Sequence, residues 1–328
     1  MIETLTEPGR VHWGVMLAQG WKGELAGVER AWEVAREWSD CAEELGFHGV
    51  WVFDHFQPYP ARDDSPLLEA WSTLAALSQV TTRVVLGTLV TCAAYRPAAV
   101  TVKMARNLDA LSGGRFCLGA GAGWDEPEFA ALGIPFATAA ERSDRLEELL
   151  RLARGSPSGS PSARVGLAGD AGHGRGPLVL VGGDGEKRTL PAAVRYADVV
   201  NWQVGPAGFA RKSRVLAELC ESAGRDPASL RRTHAPNFQL FDSERAYAHW
   251  RQHPDRGMSS RDVEAYVRGR GALYGTAAAI TATIEEFIDL GCQGFMVYCN
   301  SAPEPSGLHQ LKSLSSANHR SDGGNGSD

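Results

Sequence analysis

The chain has 328 residues, with 33 Lys+Arg against 39 Asp+Glu and a formal net charge of −6. A mildly acidic chain with scattered basic residues argues against a phosphate-tracking nucleic-acid surface, and no run of roughly 18 apolar residues offers a membrane span. The 43% hydrophobic and 22% charged shares are those of a globular chain, long enough for two average domains or one large α/β barrel.

Apolar runs of strand length alternate with segments of helical period. Residues 12–17 (HWGVML) predict a first buried strand. Residues 28–46 predict a helix, because Ala31, Val34, Ala35, Trp38, Ala42 and Leu45 recur at spacings of three and four and Gly46 supplies the stop. Residues 49–53 (GVWVF) predict a second strand, 67–80 a helix, and 84–91 a third strand interrupted by Gly87. Residues 97–111 predict a helix with Pro at its start and Ser-Gly-Gly at its end. Residues 116–122 follow as a fourth strand and 138–154 as an amphipathic helix. Residues 155–176 are rich in Gly, Ser and Pro and predict a flexible excursion. Strands at 178–181, 198–202, 232–241 and 294–298 complete the set, separated by helices at 186–196, 208–223, 243–253, 259–269 and 276–290. The polar tail, 313–328, is expected to be disordered.

Eight strands alternating with helices, apolar on both faces, predict a single (β/α)8 barrel over residues 1–312. A doubly wound sheet is the alternative, but no G-x-G-x-x-G follows the first strand. Six cysteines, at 41, 92, 117, 220, 292 and 299, form no C-x-x-C pair and have no histidines at zinc spacing. They are expected to be reduced thiols, with no metal site. Residues 1–10 lack the pattern of a signal peptide, so a cytoplasmic protein is expected.

In such a barrel the site lies at the carboxyl ends of the strands. Strand 2 ends in Asp54-His55-Phe56-Gln57-Pro58-Tyr59, an adjacent carboxylate and imidazole poorly suited to a core. Histidine there can move protons or simply cap a loop. Gly87, inside strand 3, marks either a close ligand approach or tight packing. Strand 4 ends in three alternate glycines, Gly119, Gly121 and Gly123, then Trp124, Asp125 and Glu126. They leave either room for a flat ligand or a tight barrel interior. Strand 5 runs into Gly182-Gly183-Asp184-Gly185 just before a helix, a turn whose N–H groups suit a phosphate. Strand 6 ends at Asn201 and Trp202. Tyr59, Trp124, Asn201 and Trp202 are the candidates for contact with substrate.

Residues 50–58 (VWVFDHFQP), 83–91 (RVVLGTLVT), 108–115 (LDALSGGR) and 119–136 (GAGAGWDEPEFAALGIPF) resemble the luciferase-like monooxygenase superfamily, together with Gly182-Gly183 and the Ala197-Asp198…Asn201 stretch. They look most like its branch that uses the deazaflavin coenzyme F420. The resemblance spans residues 10–300. It implies that Asp54 contacts the deazaflavin or its hydroxyl side chain and that His55 is the active-site histidine. It implies that Thr88, Leu89 and Val90 form a bulge, often with a non-proline cis peptide, behind the central ring. Gly121, Ala122, Gly123 and Asp125 would then follow the cofactor tail, and Gly182, Gly183 and Asp184 would hold its phosphate.

Two departures stand out. The sugar-phosphate dehydrogenases of that branch carry Trp where Tyr59 stands and Glu where Trp124 stands. No sugar-phosphate clamp is evident either, since Lys187-Arg188 reads as a solvated helix face. The resemblance therefore implies an F420H2-dependent reductase delivering hydride to a C=C or C=N bond of a small-molecule or peptide substrate, such as a dehydroamino acid in a modified peptide. His55 is the first candidate for proton donor and Glu126 the second. An FMN-dependent monooxygenase fed reduced flavin by a partner is the alternative. A carrier that has lost catalysis is a third reading, against which His55 and the intact Gly182-Gly183 turn weigh. A homodimer is implied by the resemblance; Trp32 and Trp38 offer either part of its face or core packing.

Overall fold

Short strands that are apolar on both faces need cover on both sides, and a closed parallel sheet wrapped in helices supplies it. The computed structural model describes residues 5, 7, 9–21, 23, 25, 28–60, 62–155, 176–252, 260–300 and 304–317. The first half holds β1 (His12–Met16), α1 (Val28–Glu44), β2 (Gly49–Val52), α2 (Ala70–Val80), β3 (Val85–Thr88), β4 (Thr91–Cys92), α3 (Ala98–Leu111), β5 (Phe116–Gly121), α4 (Glu126–Ala131) and α5 (Ala139–Ala153). The second half holds β6 (Leu178–Gly182), α6 (Thr189–Tyr196), β7 (Val199–Trp202), α7 (Pro206–Ser222), β8 (Arg231–His234), β9 (Asn237–Leu240), α8 (Glu244–Gln252), α9 (Ser260–Arg270), β10 (Leu273–Gly275), α10 (Ala277–Asp289), β11 (Gly294–Cys299) and α11 (Ser306–Ala317).

Strands β1, β2, β3, β5, β6, β7, β8 and β11 pair in that order, all parallel, and β11 closes back onto β1 through His12–Gly294 and Val15–Val297. This is the expected (β/α)8 barrel. One buried layer lies between strands and helices, with Trp38, Leu74, Leu118, Leu149 and Phe287 among its members. A second fills the lumen, with Met16, Trp51, Val85, Cys117, Leu180, Val199 and Met296. Trp38 is 1% exposed and belongs to the core rather than to an outer face. All six cysteines are free.

Trp51 accounts for three of the glycines. Its indole lies over Gly14, Gly49 and Gly87 on three adjacent strands. A Cβ at Gly87 would meet the ring at 2.2 Å, and one at Gly14 at 2.4 Å. Gly87 is thus a packing glycine, and the large residue is accommodated by removing three small ones.

Several expected boundaries shift. The third strand does not run unbroken to 91: β3 stops at Thr88, the Leu89–Val90 peptide is cis, and β4 then pairs with β5. The single strand expected over 232–241 is two. Ala235-Pro236 divides it, and Pro236 has no N–H to give a ladder. β8 stays in the barrel, while β9 pairs both with the end of β11 and with β10, a strand the periodicity did not mark. The start of the tail expected from 313 is helical, because α11 continues to Ala317 and buries Leu311 and Leu314; residues 318–328 lie outside the described residues. Most of the 155–176 excursion, residues 156–175, lies outside the described residues. Among the described residues no helix is long and apolar enough to cross a membrane.

Gly87→Ala should destabilise the protein by about 1–3 kcal/mol through overpacking against Trp51. Urea unfolding measures this, and an unchanged midpoint would contradict the packing role.

Candidate active site

The end of β2 is held from both sides. Phe53 N–H donates to Gln19 Oε1 (2.9 Å), and Gln19 Nε2 donates to Phe53 O (2.8 Å) and Leu68 O (2.6 Å). Gln19 is fully buried. Asp54 and His55 therefore leave the strand in fixed directions. Asp54 is 2% exposed, and both of its oxygens accept from Arg96, at 2.7 and 3.0 Å. Arg96 also reaches Glu69 at 3.3 Å, the residue that caps the N-terminus of α2. Burial pushes the Asp54 carboxyl up, and the Arg96 guanidinium offsets this only in part.

His55 meets an acid that the sequence did not single out. Its Nδ1 lies 2.9 Å from Glu128 Oε2. Glu128 Oε1 accepts from the backbone N–H of Phe56 (2.8 Å) and Gln57 (3.0 Å), and the Tyr95 hydroxyl donates to Oε2. The Glu128 side chain is fully buried. Burial alone would push its carboxyl up, but the bond and charge of His55, with the bonds from Tyr95 and Phe56, outweigh it and hold it at about 2. A carboxylate so low is ionised at neutral pH and can only accept, so His55 Nδ1 must donate. His55 Nε2 is then the ring nitrogen left to exchange a proton. Burial and Glu128 push the Tyr95 hydroxyl up, so it stays a donor.

Asp125, next on the same turn, is 3% exposed and pairs with Arg62 at 2.5 Å. Ligand atoms of His55, Asp125 and Glu128 lie within 4.8 Å of one another. Glu126, the second candidate for proton donor, is exposed on the outer side of the same turn. Residues 125, 128 and 129 are buried while 126, 127 and 130 are exposed, a spacing of three and four that marks one inward helical face. That spacing was the available signal for Glu128.

Aromatic rings surround His55. Trp21 stacks near-parallel on His55 (centroids 5.1 Å) and on Tyr59 (5.6 Å), while Trp124 stands edge-on to both, at 5.9 and 5.4 Å. The Tyr59–Pro60 peptide is cis. Tyr59 and Trp124, both expected at the substrate, do come together here.

The glycines at the other strand ends serve the bulge after β3. A Cβ at Gly121 or at Gly182 would meet a Val90 methyl at 2.7 Å, and one at Gly119 would meet Thr88 O at 1.8 Å. Thr88 Oγ1 donates to Gly119 O at 2.8 Å. Leu89 is 7% exposed within the lumen cluster. Gly123 backs onto Cys92, and Ala122 beside it is partly buried. Past β6, Gly183 has φ +130 and is exposed together with Asp184. Lys212, on α7 and only 3% exposed, donates to Asp184 O at 2.7 Å and lies 3.7 Å from both Asp184 Oδ1 and Glu186 Oε1. This buried ammonium offsets two carboxylates beside the turn, and the sequence did not mark it.

Asn201 points into the barrel, donating to Thr233 Oγ1 at 2.9 Å. Trp202 corrects an expectation. Alternate strand residues face opposite sides, so Trp202 lies in the layer under the helices, 1% exposed and edge-on to Phe209. It does not join the residues around His55.

A family model described as luciferase-like monooxygenase matches residues 12–286. The chain belongs to the luciferase-like monooxygenase family. An F420-dependent hydroxymycolic acid dehydrogenase of Mycobacterium tuberculosis is 32% identical over 222 residues, covering 64% of this chain and 59% of that protein. A 5,10-methylenetetrahydromethanopterin reductase of Methanolobus tindarius is 31% identical over 198 residues, 59% of this chain and 57% of that one. The match thus covers less than two thirds of the length of these relatives. Among solved structures, an F420-dependent secondary alcohol dehydrogenase in complex with an F420-acetone adduct superposes with a TM-score of 0.73, at 19% identity over 93% of this chain and 98% of that one. An EDTA monooxygenase from Chelativorans sp. BNC1 gives a TM-score of 0.74, at 14% identity over 95% and 94%. Both structural likenesses speak for the fold alone.

The low pKa of Glu128 in this luciferase-like site has a consequence for acid stability. A carboxyl lowered from 4.5 to about 2 on folding contributes stability that is present above 4.5 and is lost as pH falls toward 2. Across that window the wild type should lose more stability than Glu128→Gln, measured by urea unfolding against pH. Parallel losses would contradict the ionised, fourfold-bonded carboxylate.

Proposed function

We propose that this luciferase-like protein is a coenzyme F420-dependent oxidoreductase, acting as an F420H2-dependent reductase on a C=C or C=N bond of a small organic or natural-product substrate. A dehydroamino acid within a modified peptide is one such substrate. The observation that carries the reading is His55, fixed by Glu128 at the end of β2, in a chain that is 32% identical over 222 residues to a protein named as an F420-dependent hydroxymycolic acid dehydrogenase.

The residues present fit a flat, phosphorylated cofactor. Thr88 to Val90 form a bulge whose Val90 side chain sits on the bare backbone of Gly121 and Gly182, and this bulge would back the ring system. The Gly183-Asp184-Gly185 turn leads toward the N-terminus of α6 and is braced from beneath by Lys212, and it would take the phosphate. When bound, the reduced deazaflavin supplies hydride; the protein supplies orientation and charge.

Glu128 fixes the His55 ring through Nδ1. His55 Nε2 then carries the proton that the reduced product takes up. Tyr95 and the backbone N–H groups of Phe56 and Gln57 keep the Glu128 charge satisfied, so the ring is not left beside an unbonded buried carboxylate. Asp54 does not present a free carboxylate, since Arg96 engages both of its oxygens; contact with the cofactor would come through that pair. The proposal includes a homodimer and a cytoplasmic location; light scattering of the purified protein tests the first.

Fluorescence titration of the purified protein with F420 and with FMN tests the cofactor. F420 binding with little FMN binding is expected. Tight FMN binding with no F420 binding would replace this reading by the flavin monooxygenase. His55→Ala should lower the rate of F420H2 oxidation by about 10²–10⁴-fold with F420 affinity nearly unchanged, and unchanged turnover would remove His55 from the proton-donor role.

A further inference from the structure

Six large hydrophobic side chains are exposed among the described residues: Phe56, Tyr59, Val80, Val100, Leu111 and Trp124. Val80, Val100 and Leu111 lie singly on α2 and α3. Tyr59 and Trp124 instead stand together beside Trp21 and His55, while Phe56 faces Tyr95. Isolated apolar residues on a surface are ordinary, but a contiguous aromatic group beside convergent polar atoms marks a ligand site. Trp124 is 55% exposed and Tyr59 36% exposed, so their rings offer free surface. The rings of Trp21, His55 and Tyr59 lie within 19° of parallel in their stacked pairs, and Trp124 stands at 68° and 87° to His55 and Tyr59. Parallel faces with a perpendicular wall suit a flat guest, which can stack on one ring and meet the other edge-on.

The charges beside these rings are already committed. The Arg62 guanidinium lies 5.7 Å from the Tyr59 ring but is bonded to Asp125. The Arg96 guanidinium lies 5.5 Å from the Phe56 ring but is bonded to Asp54 and Glu69. Recruiting either cation to an anionic substrate would leave a buried carboxylate unpaired. A phosphate or carboxylate near His55 would also face the Glu128 charge. A cationic guest would find the faces of Tyr59 and Phe56 already approached by guanidinium groups.

We propose that the group reduced at this site belongs to an uncharged, planar, conjugated molecule held by the exposed rings of Tyr59 and Trp124 beside His55, with Trp124 as the specificity-determining residue. This rests on the F420H2-dependent reductase reading above. In an α,β-unsaturated carbonyl of this kind, the β-carbon gains hydride from the reduced cofactor and the α-carbon gains a proton from His55. The C=C bond becomes a single bond, the cofactor leaves as oxidised F420, and the proton that the cofactor releases on oxidation restores the one given by His55.

The test uses cinnamaldehyde as the neutral planar probe, with its 4-carboxy and 4-trimethylammonio derivatives as charged counterparts. Dissociation constants are measured by calorimetry on the full chain, after an F420 titration of the same sample. That titration reports separately on the cofactor: failure to bind F420 would sink the reductase reading, while the charge preference of the ring site stays measurable. The neutral probe should bind about tenfold more tightly than either charged one. Trp124→Ala should weaken it by about tenfold and Trp124→Phe should restore most of the loss. Trp124 is exposed, so the variants are expected to keep the wild-type melting temperature. Equal or tighter binding of a charged probe, no binding of the neutral one, or an unchanged affinity in Trp124→Ala would each overturn the proposal.

Discussion

A buried carboxylate held by four donors organises this site. Glu128 is fully buried, yet it accepts from His55, Phe56 N–H, Gln57 N–H and Tyr95. Those donors come from the end of β2 and from the segment between β4 and α3, while the acceptor sits on α4. One side chain thereby ties together three strand-end segments that the barrel sheet alone would leave independent. Desolvating a charge is costly unless every lone pair is used; here hydrogen bonds, together with the charge of His55, hold the carboxyl at about 2 despite burial. The same bonds dictate which nitrogen of His55 is free. The orientation of His55 and local stability are therefore one property, and a change at Glu128 alters both.

The second constraint is steric. Trp51 fills the lumen over Gly14, Gly49 and Gly87, and Val90 rests on Gly121 and Gly182. Large side chains are seated on bare backbone at two levels of the barrel. The upper of these fixes the bulge at Thr88–Val90, and the lower holds the strands beneath it. Several glycines that read as room for a flat ligand act one step earlier, by making room for the residues that would back that ligand. Gly183 and its turn differ, since nothing but Thr189 lies near a Cβ there.

The barrel was legible because its strands are apolar on both faces and its helices carry period-3.6 stripes, both local signals. β10 has only three residues, Leu273–Gly275, too few for a period. The division of β8 from β9 had a written cause, Pro236, whose weight depends on where the strand sits in the sheet. Within the site, His55, Tyr59 and Trp124 were legible as chemistry stranded at strand ends. Glu128 and Glu126 differ only in which side of a short helix they occupy, and Trp202 and Asn201 only in strand parity; one residue of offset decides each. Arg62, Arg96, Tyr95 and Lys212 were not legible, because their partners Asp125, Asp54, Glu128 and Asp184 lie far away in sequence.

Membership of the luciferase-like family accounts for the barrel, and the proposed chemistry depends on how Glu128 sets the His55 ring. Nitrogen NMR of ¹⁵N-labelled His55, with its signals identified by their loss in His55→Ala, tests this most directly. In the wild type the neutral ring should be protonated at Nδ1 and bare at Nε2. In Glu128→Gln, Oε1 keeps the Phe56 and Gln57 N–H groups, so the amide nitrogen faces His55 and donates to Nδ1. The ring should then switch to protonation at Nε2. A wild-type ring already protonated at Nε2, or no switch in Glu128→Gln, would contradict the claim that this carboxylate sets the proton position.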